Sequence, residues 1–252
     1  KGPQWTGVVR CVPEMLERPL RWRSPRRIFV NSMSDLFHEQ VPFDFIDQVF
    51  AVMALAPRHT FQILTKRPDR MRQYSESRAE LLRIHPGYEH PVQKRIEETI
   101  DRRPTPEDAG LWGWPLPNVW CGTSVEDQDA ADERIPHLLR APASVRFLSC
   151  EPLLGHVDLK MDRTVLPALL HWVIIGGESG PGARPCDVEW IRSLVGQCQA
   201  ADVPAFVKQL GASWYEQLAL VRPESDRKGG DPSEWPKDLR VRDFPNLTQV
   251  TA

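Results

Sequence analysis

The chain has 252 residues, enough for one large domain or two small ones, and a formal net charge of −2 at pH 7. This balance excludes a strongly basic nucleic-acid-binding protein, and the longest apolar stretches fall short of the roughly 18 residues that a membrane-spanning helix needs. The five cysteines are odd in number and widely spaced, which favours reduced thiols in a cytoplasm over a disulfide framework.

Six short apolar runs each end in a cluster of polar residues. Runs of this kind are typical of buried strands in a parallel sheet, whose carboxyl edge is where ligands bind. The runs are Ile28–Val30, Phe61–Leu64, Val119–Gly122, Val145–Leu148, Trp172–Ile175 and Ala205–Val207. Most successive ends lie about 30 residues apart, the length of one strand–helix–strand unit. The pattern predicts one polar site assembled from several strands.

Apolar residues at helical spacing occupy most of the gaps between these runs. They predict helices over residues 43–54, 127–139 and 188–201. Strand–helix–strand connections are almost always right-handed, so such units form a barrel or an open parallel sheet. We expect a single domain over residues 1–252. The long gap between the second and third runs predicts an insertion over residues 77–117, helical in its first half through Ile100 and too rich in Pro and Gly to be regular in its second half. Residues 211–252 are expected to be an irregular C-terminal extension.

The first polar ends supply candidates for binding and catalysis. Ser34 or Asp35 is expected to cap the following helix, and the Asp35 carboxylate is also a candidate for a ligand ammonium. His38 is a candidate acid or base. Lys66 and Arg67 follow the second run directly, where their side chains are in reach of a carboxylate or phosphate.

The later polar ends add carboxylates and glycines. Ser124 with Glu126, and Glu151 alone, are candidates for ribose hydroxyls, an ammonium, a metal or acid/base chemistry. Glu151 is the acidic candidate we favour first. Gly176 and Gly177 allow either a close backbone approach to a ligand or a tight turn, and Glu178 follows them. No cysteine or histidine pair has the spacing of a metal site, so no metal ligands are predicted.

Five segments carry a resemblance to a known family. They are Arg26–His38 (RRIFVNSMSDLFH), His59–Pro68 (HTFQILTKRP), Asn118–Gln128 (NVWCGTSVEDQ), Val145–Gly155 (VRFLSCEPLLG) and Trp172–Pro185 (WVIIGGESGPGARP). The chain resembles uncharacterised phage and prophage proteins related to radical S-adenosylmethionine enzymes. This resemblance implies a partial (β/α)6 barrel, similar to a TIM barrel, that uses S-adenosylmethionine and a [4Fe–4S] cluster.

The resemblance also implies roles for individual residues. Asp35 would meet the methionyl ammonium, and Lys66 or Arg67 the methionyl carboxylate. Ser124 or Glu126 would meet the ribose, and residues 176–178 would pass close to the adenine. The three-cysteine motif of the related enzymes is absent here, so the chain is expected to lack its N-terminal strand and cysteine loop and to be inactive as it stands.

The leading hypothesis is therefore a phage-derived radical enzyme that modifies a nucleotide or a nucleic acid. Basic residues in the insertion prompt this substrate class: Lys94, Arg95, Arg102 and Arg103. One alternative is a barrel that binds a nucleotide-like ligand or a partner protein without catalysis. Another is an acid/base or metal-dependent enzyme that uses Glu151, Glu178 and Asp35, with His38 as a further catalytic candidate. No membrane partner is expected.

Overall fold

The computed structural model describes residues 7–84, 113–160, 169–214 and 228–245. It contains six strands: β1 (Arg27–Val30), β2 (Thr60–Thr65), β3 (Val119–Ser124), β4 (Val145–Cys150), β5 (Trp172–Gly176) and β6 (Ala205–Gln209). The strands follow one another in the sheet in chain order and alternate with helices, which is the predicted α/β partial-barrel class. All six predicted strands are confirmed, each longer than its apolar run by one or two residues.

Four α-helices accompany the strands in the described ranges: α1 (Phe43–Ala54), α2 (Pro68–Ile84), α3 (Gln128–Arg140) and α4 (Val188–Ala200). The three helices predicted from periodicity are confirmed to within one residue. The predicted insertion begins inside α2, and its residues 85–112 lie outside the described part of the chain. Within the described residues, none of the helices combines the length and apolar character needed to cross a bilayer.

The predicted cap of α1 is wrong. The helix begins at Phe43 after Pro42, and no side chain caps it. Proline suits a helix start because its ring fixes φ and its missing N–H leaves no unpaired donor there. Asp35 lies seven residues before the cap position, Pro42, and its carboxylate accepts hydrogen bonds from other residues.

The chain divides into two compact units. The first comprises Lys1–Trp120 with Ala141–Ser144, and the second comprises Cys121–Arg140 with Val145–Ala252. The core of the first unit centres on Tyr74, which is fully buried and packs against four rings: Phe37, Phe43, Phe50 and Trp114. Its hydroxyl donates to Asp47 at 2.9 Å, and Arg78 donates twice to the same carboxylate. This buried network ties α1 to α2.

In the second unit, α4 packs an apolar stripe onto β5 and β6. The stripe consists of Ile191, Leu194, Val195 and Cys198, all buried. A C-terminal segment covers the outer side of β6: Val207 donates from its backbone N–H to Val241 O, and Asp243 donates to Ala205 O. Because a paired edge strand exposes no free ladder groups, this segment protects β6 from pairing with another chain.

Candidate functional site

The polar residues after β1 and β2 form the first polar cluster, which we define as Ser34, Asp35, His38, Lys66 and Arg67. Asp35 is its centre, with a side chain 17% exposed. One carboxylate oxygen, Oδ1, accepts from Phe37 N at 2.9 Å and from Thr65 Oγ1 at 2.7 Å. The other, Oδ2, accepts from Lys66 N and from Arg67 Nη1, both at 3.1 Å.

These contacts give Asp35 a structural function whatever else it binds. A carboxylate has about four acceptor positions, and here four donors from two loops share them. The loop after β1 is thereby fixed to the loop after β2. An ammonium ligand at Asp35 would have to replace one of these donors, and Arg67, at the partly exposed end of the cluster, is the one that can move aside.

The other members of the first polar cluster have fewer contacts. His38 Nδ1 accepts from Gln40 N at 3.2 Å, which leaves its other nitrogen for a second partner. Ser34 is exposed, and its hydroxyl has no hydrogen-bond partner within the described residues. Lys66 contributes its backbone N–H to Asp35.

Two cavities lie beside this cluster in the first unit. The loop cavity, of about 420 Å³, is lined by Ser34, Asp35 and His38 together with Arg10 and apolar side chains such as Phe45. The apolar cavity, of about 390 Å³, is bounded by β1, α1 and the N-terminal segment. Both volumes fall in the range of small-molecule sites, and both cavities share Arg10, Asn31 and Ser34.

The polar ends of β3, β4 and β5 belong to the second unit and form the second polar cluster: Ser124, Glu126, Glu151, Gly176, Gly177 and Glu178. Glu126 Oε2 accepts from Arg134 Nη1 at 2.8 Å, and the same guanidinium nitrogen donates to Ser124 O at 3.0 Å. Both side chains of this ion pair are mostly buried. The pair therefore fixes α3 to the end of β3.

Glu151 is held by the end of β6. Lys208 Nζ lies 2.8 and 3.0 Å from the two carboxylate oxygens, and Gln209 Nε2 donates to Glu151 Oε1 at 3.0 Å. The same amide donates to Gly177 O at 2.8 Å. The Lys208 side chain is half exposed, so its ammonium can exchange this contact for a ligand.

Packing requires a glycine at position 177 and leaves little room for a side chain on Gly176, the last residue of β5. A Cβ on Gly177 would lie 2.4 Å from Leu210 O and 2.8 Å from Gly211 Cα. One on Gly176 would lie 3.2 Å from Gln209 O. The close backbone approach that these glycines allow is made to the end of β6 and the segment after it. A close approach to a ligand stays a prediction.

An ion pair between Glu178 and Arg184 closes the loop that joins these two residues. The guanidinium donates from Nε at 2.8 Å and from Nη2 at 2.7 Å, and the Arg184 backbone N–H donates at 2.7 Å. These hydrogen bonds lower the pKa of Glu178 to about 2. A carboxylate that is ionised at neutral pH and fully paired holds the loop in place and is a weak proton acceptor.

The described cysteines do not fit an iron–sulfur cluster, whose ligands are thiolates. Burial raises the pKa of the Cys121, Cys186 and Cys198 thiols to about 12, and the pKa of Cys150 is raised as well. Within the described residues, no three His, Cys, Asp or Glu side chains are grouped to hold a metal ion. No catalytic step through a cluster follows from these residues.

Several functional candidates escaped sequence reasoning. Lys208 and Gln209 directly follow the last apolar run, and their convergence on Glu151 joins residues more than 50 positions apart. The sequence places Arg134 on a predicted helix but does not predict its pairing with Glu126. Arg10 belongs to a segment with no periodic pattern. Each of these contacts depends on tertiary packing.

A comparison with protein-family models matches residues 2–236 to the family described as "Protein of unknown function (DUF5131)". No curated protein and no solved structure matches the chain. The family match extends from the N-terminal segment through all six strands, so it includes both polar clusters and both cavities. The chain therefore belongs to the DUF5131 family, whose function is not known.

Proposed function

We propose that this chain binds S-adenosylmethionine in the loop cavity, as part of a phage-derived enzyme of the radical S-adenosylmethionine type. The observation that carries the proposal is the set of groups around that cavity: a carboxylate (Asp35), a guanidinium (Arg10), a hydroxyl (Ser34) and an imidazole (His38). The resemblance of the five strand-end segments supports the enzyme class and the phage origin.

The chemistry of these groups suits the methionyl end of the ligand. Its carboxylate requires a cation, and the exposed Arg10 side chain has no ion-pair partner within the described residues. Its ammonium and sulfonium are cations, which the negative charge of Asp35 attracts even while its oxygens are hydrogen-bonded. The Ser34 hydroxyl and the second nitrogen of His38 add neutral donors or acceptors.

When bound, S-adenosylmethionine supplies radical hydrogen abstraction in enzymes that also hold a [4Fe–4S] cluster. The described residues supply binding and orientation in this proposal, and they do not supply cluster ligands. A nucleotide or nucleic acid remains the proposed substrate class. The basic residues that prompted it, between 94 and 103, lie outside the described part of the chain.

Calorimetric titration of the purified chain with S-adenosylmethionine tests the proposal. We expect binding with a dissociation constant in the micromolar range and a loss of about tenfold for His38→Gln, because one hydrogen bond to a charged ligand is removed. The matched control is Glu39→Gln, which changes the exposed neighbour outside both cavities. Absence of binding at millimolar ligand, or equal losses in the two variants, would contradict the proposal.

A second candidate function rests on Glu151. Lys208 and Gln209 from β6 position this carboxylate, and the half-exposed Lys208 can exchange its contact for a ligand. A carboxylate released in this way can accept a hydrogen bond or a proton from a ligand hydroxyl. In that case the ligand binds to the second unit. Glu151→Gln would then abolish ligand binding while His38→Gln leaves it unchanged, and the opposite result supports the loop cavity.

A further inference from the structure

We propose that the apolar cavity of the first unit is a binding site for an organic anion with one hydrocarbon chain, such as a fatty acid carboxylate. Its hydrocarbon would lie between β1 and α1, and its carboxylate would be bound by Arg10 and Arg18. This inference goes beyond the proposed function, since it concerns the neighbouring cavity, which shares Arg10 with the loop cavity, and does not require S-adenosylmethionine.

The wall of the cavity is mainly hydrocarbon. Ile28 and Val30 line it from β1, and Val49 and Met53 from α1. Met15 and Phe29, which also line it, are 45% and 44% exposed and belong to the few large apolar side chains that the described residues leave exposed. Exposed apolar groups gathered around a cavity mark a site at which an apolar ligand is buried favourably.

The charged residues that line the cavity are all cationic. Arg10 and Arg18 line it, and none of the described lining residues is acidic. Neither guanidinium has a hydrogen-bond or ion-pair partner within the described residues. Both are exposed, so an anionic group bound to them keeps its contact with water while the attached chain is buried.

The cavity wall is fixed before any ligand arrives. Arg58 donates to the carbonyls of Trp22 and Leu20, each at 2.8 Å, and so holds the N-terminal segment. The buried His59 accepts from Arg26 N at 3.2 Å and contacts Pro19 O at 3.0 Å through its other nitrogen. A preformed site loses less conformational entropy when a ligand binds.

The same lining argues against a nucleotide in this cavity. A nucleobase carries several donors and acceptors on its edge, which must be paired when it is buried. Apart from the two arginines, Asn31 and Ser34 supply the polar side chains of the cavity. A saturated hydrocarbon chain with one terminal carboxylate has no donors or acceptors along its buried part that need partners.

Calorimetric titration with decanoate tests the inference, with decanol and adenosine monophosphate as comparison probes. We expect decanoate to bind more tightly than either, and Arg18→Gln to weaken it about tenfold. The matched control is Arg21→Gln, on the 3-10 helix Arg18–Arg21 but outside the cavity, which should leave the affinity unchanged. Equal affinity for decanol, tighter binding of adenosine monophosphate, or equal effects of the two variants would overturn the proposal.

A second pair of variants locates the hydrocarbon. Val12→Trp places a large ring in the apolar cavity, whereas Val8→Trp makes the same change on the same segment beside the loop cavity only. We expect decanoate binding to be lost in the first variant and retained in the second, with both folded by circular dichroism. Retained binding in Val12→Trp would contradict the proposed position of the chain.

Discussion

The two polar clusters resemble each other in sequence but differ in what surrounds them. In the second unit each acidic candidate has its own cation: Glu126 with Arg134, Glu151 with Lys208, and Glu178 with Arg184. In the first unit Asp35 is equally well paired, yet the side chains of Arg10, Arg18 and Ser34 have no partner among the described residues and lie beside two cavities. The comparison teaches that polar strand ends alone do not identify a ligand site. Polar groups that lack a partner and line a cavity identify a ligand site better.

The largest expected effect tests the close packing of the second unit. Gly177→Ala would place a methyl group 2.4 Å from Leu210 O, so the backbone must shift, at a cost of about 3 kcal/mol in the free energy of unfolding. Chemical denaturation measures this change in the free energy of unfolding. Gly196→Ala is the matched control, because nothing lies near its added methyl group and alanine favours α4 by about 0.5–1 kcal/mol. Equal stability of the two variants would contradict this account of the loop after β5.

A smaller effect tests the hydrogen bonds by which Asp35 fixes the loop after β1 to the loop after β2. Asp35→Ala removes the acceptor of four hydrogen bonds, one of them from the backbone N–H of the buried Phe37, so we expect a loss of about 2 kcal/mol in the free energy of unfolding. Glu39→Ala, an exposed neighbour, should change it by less than about 0.5 kcal/mol. If Asp35→Ala were as stable as the wild type, the two loops would not depend on this carboxylate.

The smallest effect concerns pH and the loop closed by Glu178 and Arg184. The pKa of Glu178 is about 2 in the folded chain, against an ordinary value of 4.5. Its ion pair therefore contributes stability above about pH 4.5, and the contribution is lost as the pH falls toward 2. The wild type and Glu178→Gln should differ in melting temperature at pH 6 and converge near pH 2. A carboxyl titration near 4.5, followed by NMR, would contradict the pairing.

The sequence was sufficient for the six strands and three of the helices, because buried runs and helical spacing are local signals. It also located the strand ends that bear the polar clusters. It failed for the cap of α1, since the polar residues from 31 to 38 precede a turn that ends at Pro42. The pairing of Glu151 with Lys208 and the two cavities could not be predicted, because they arise from packing between distant segments. Family resemblance gave no help with these contacts.

The central claim is that the first unit, and not the second, receives the ligand. Hydrogen–deuterium exchange of the backbone amides, measured with and without S-adenosylmethionine, tests it most directly. We predict slower exchange on binding in residues 31–41 and 7–11, the two segments that supply the lining of the loop cavity, and unchanged exchange in residues 205–211. Protection confined to residues 205–211, with none in residues 31–41, would contradict the claim.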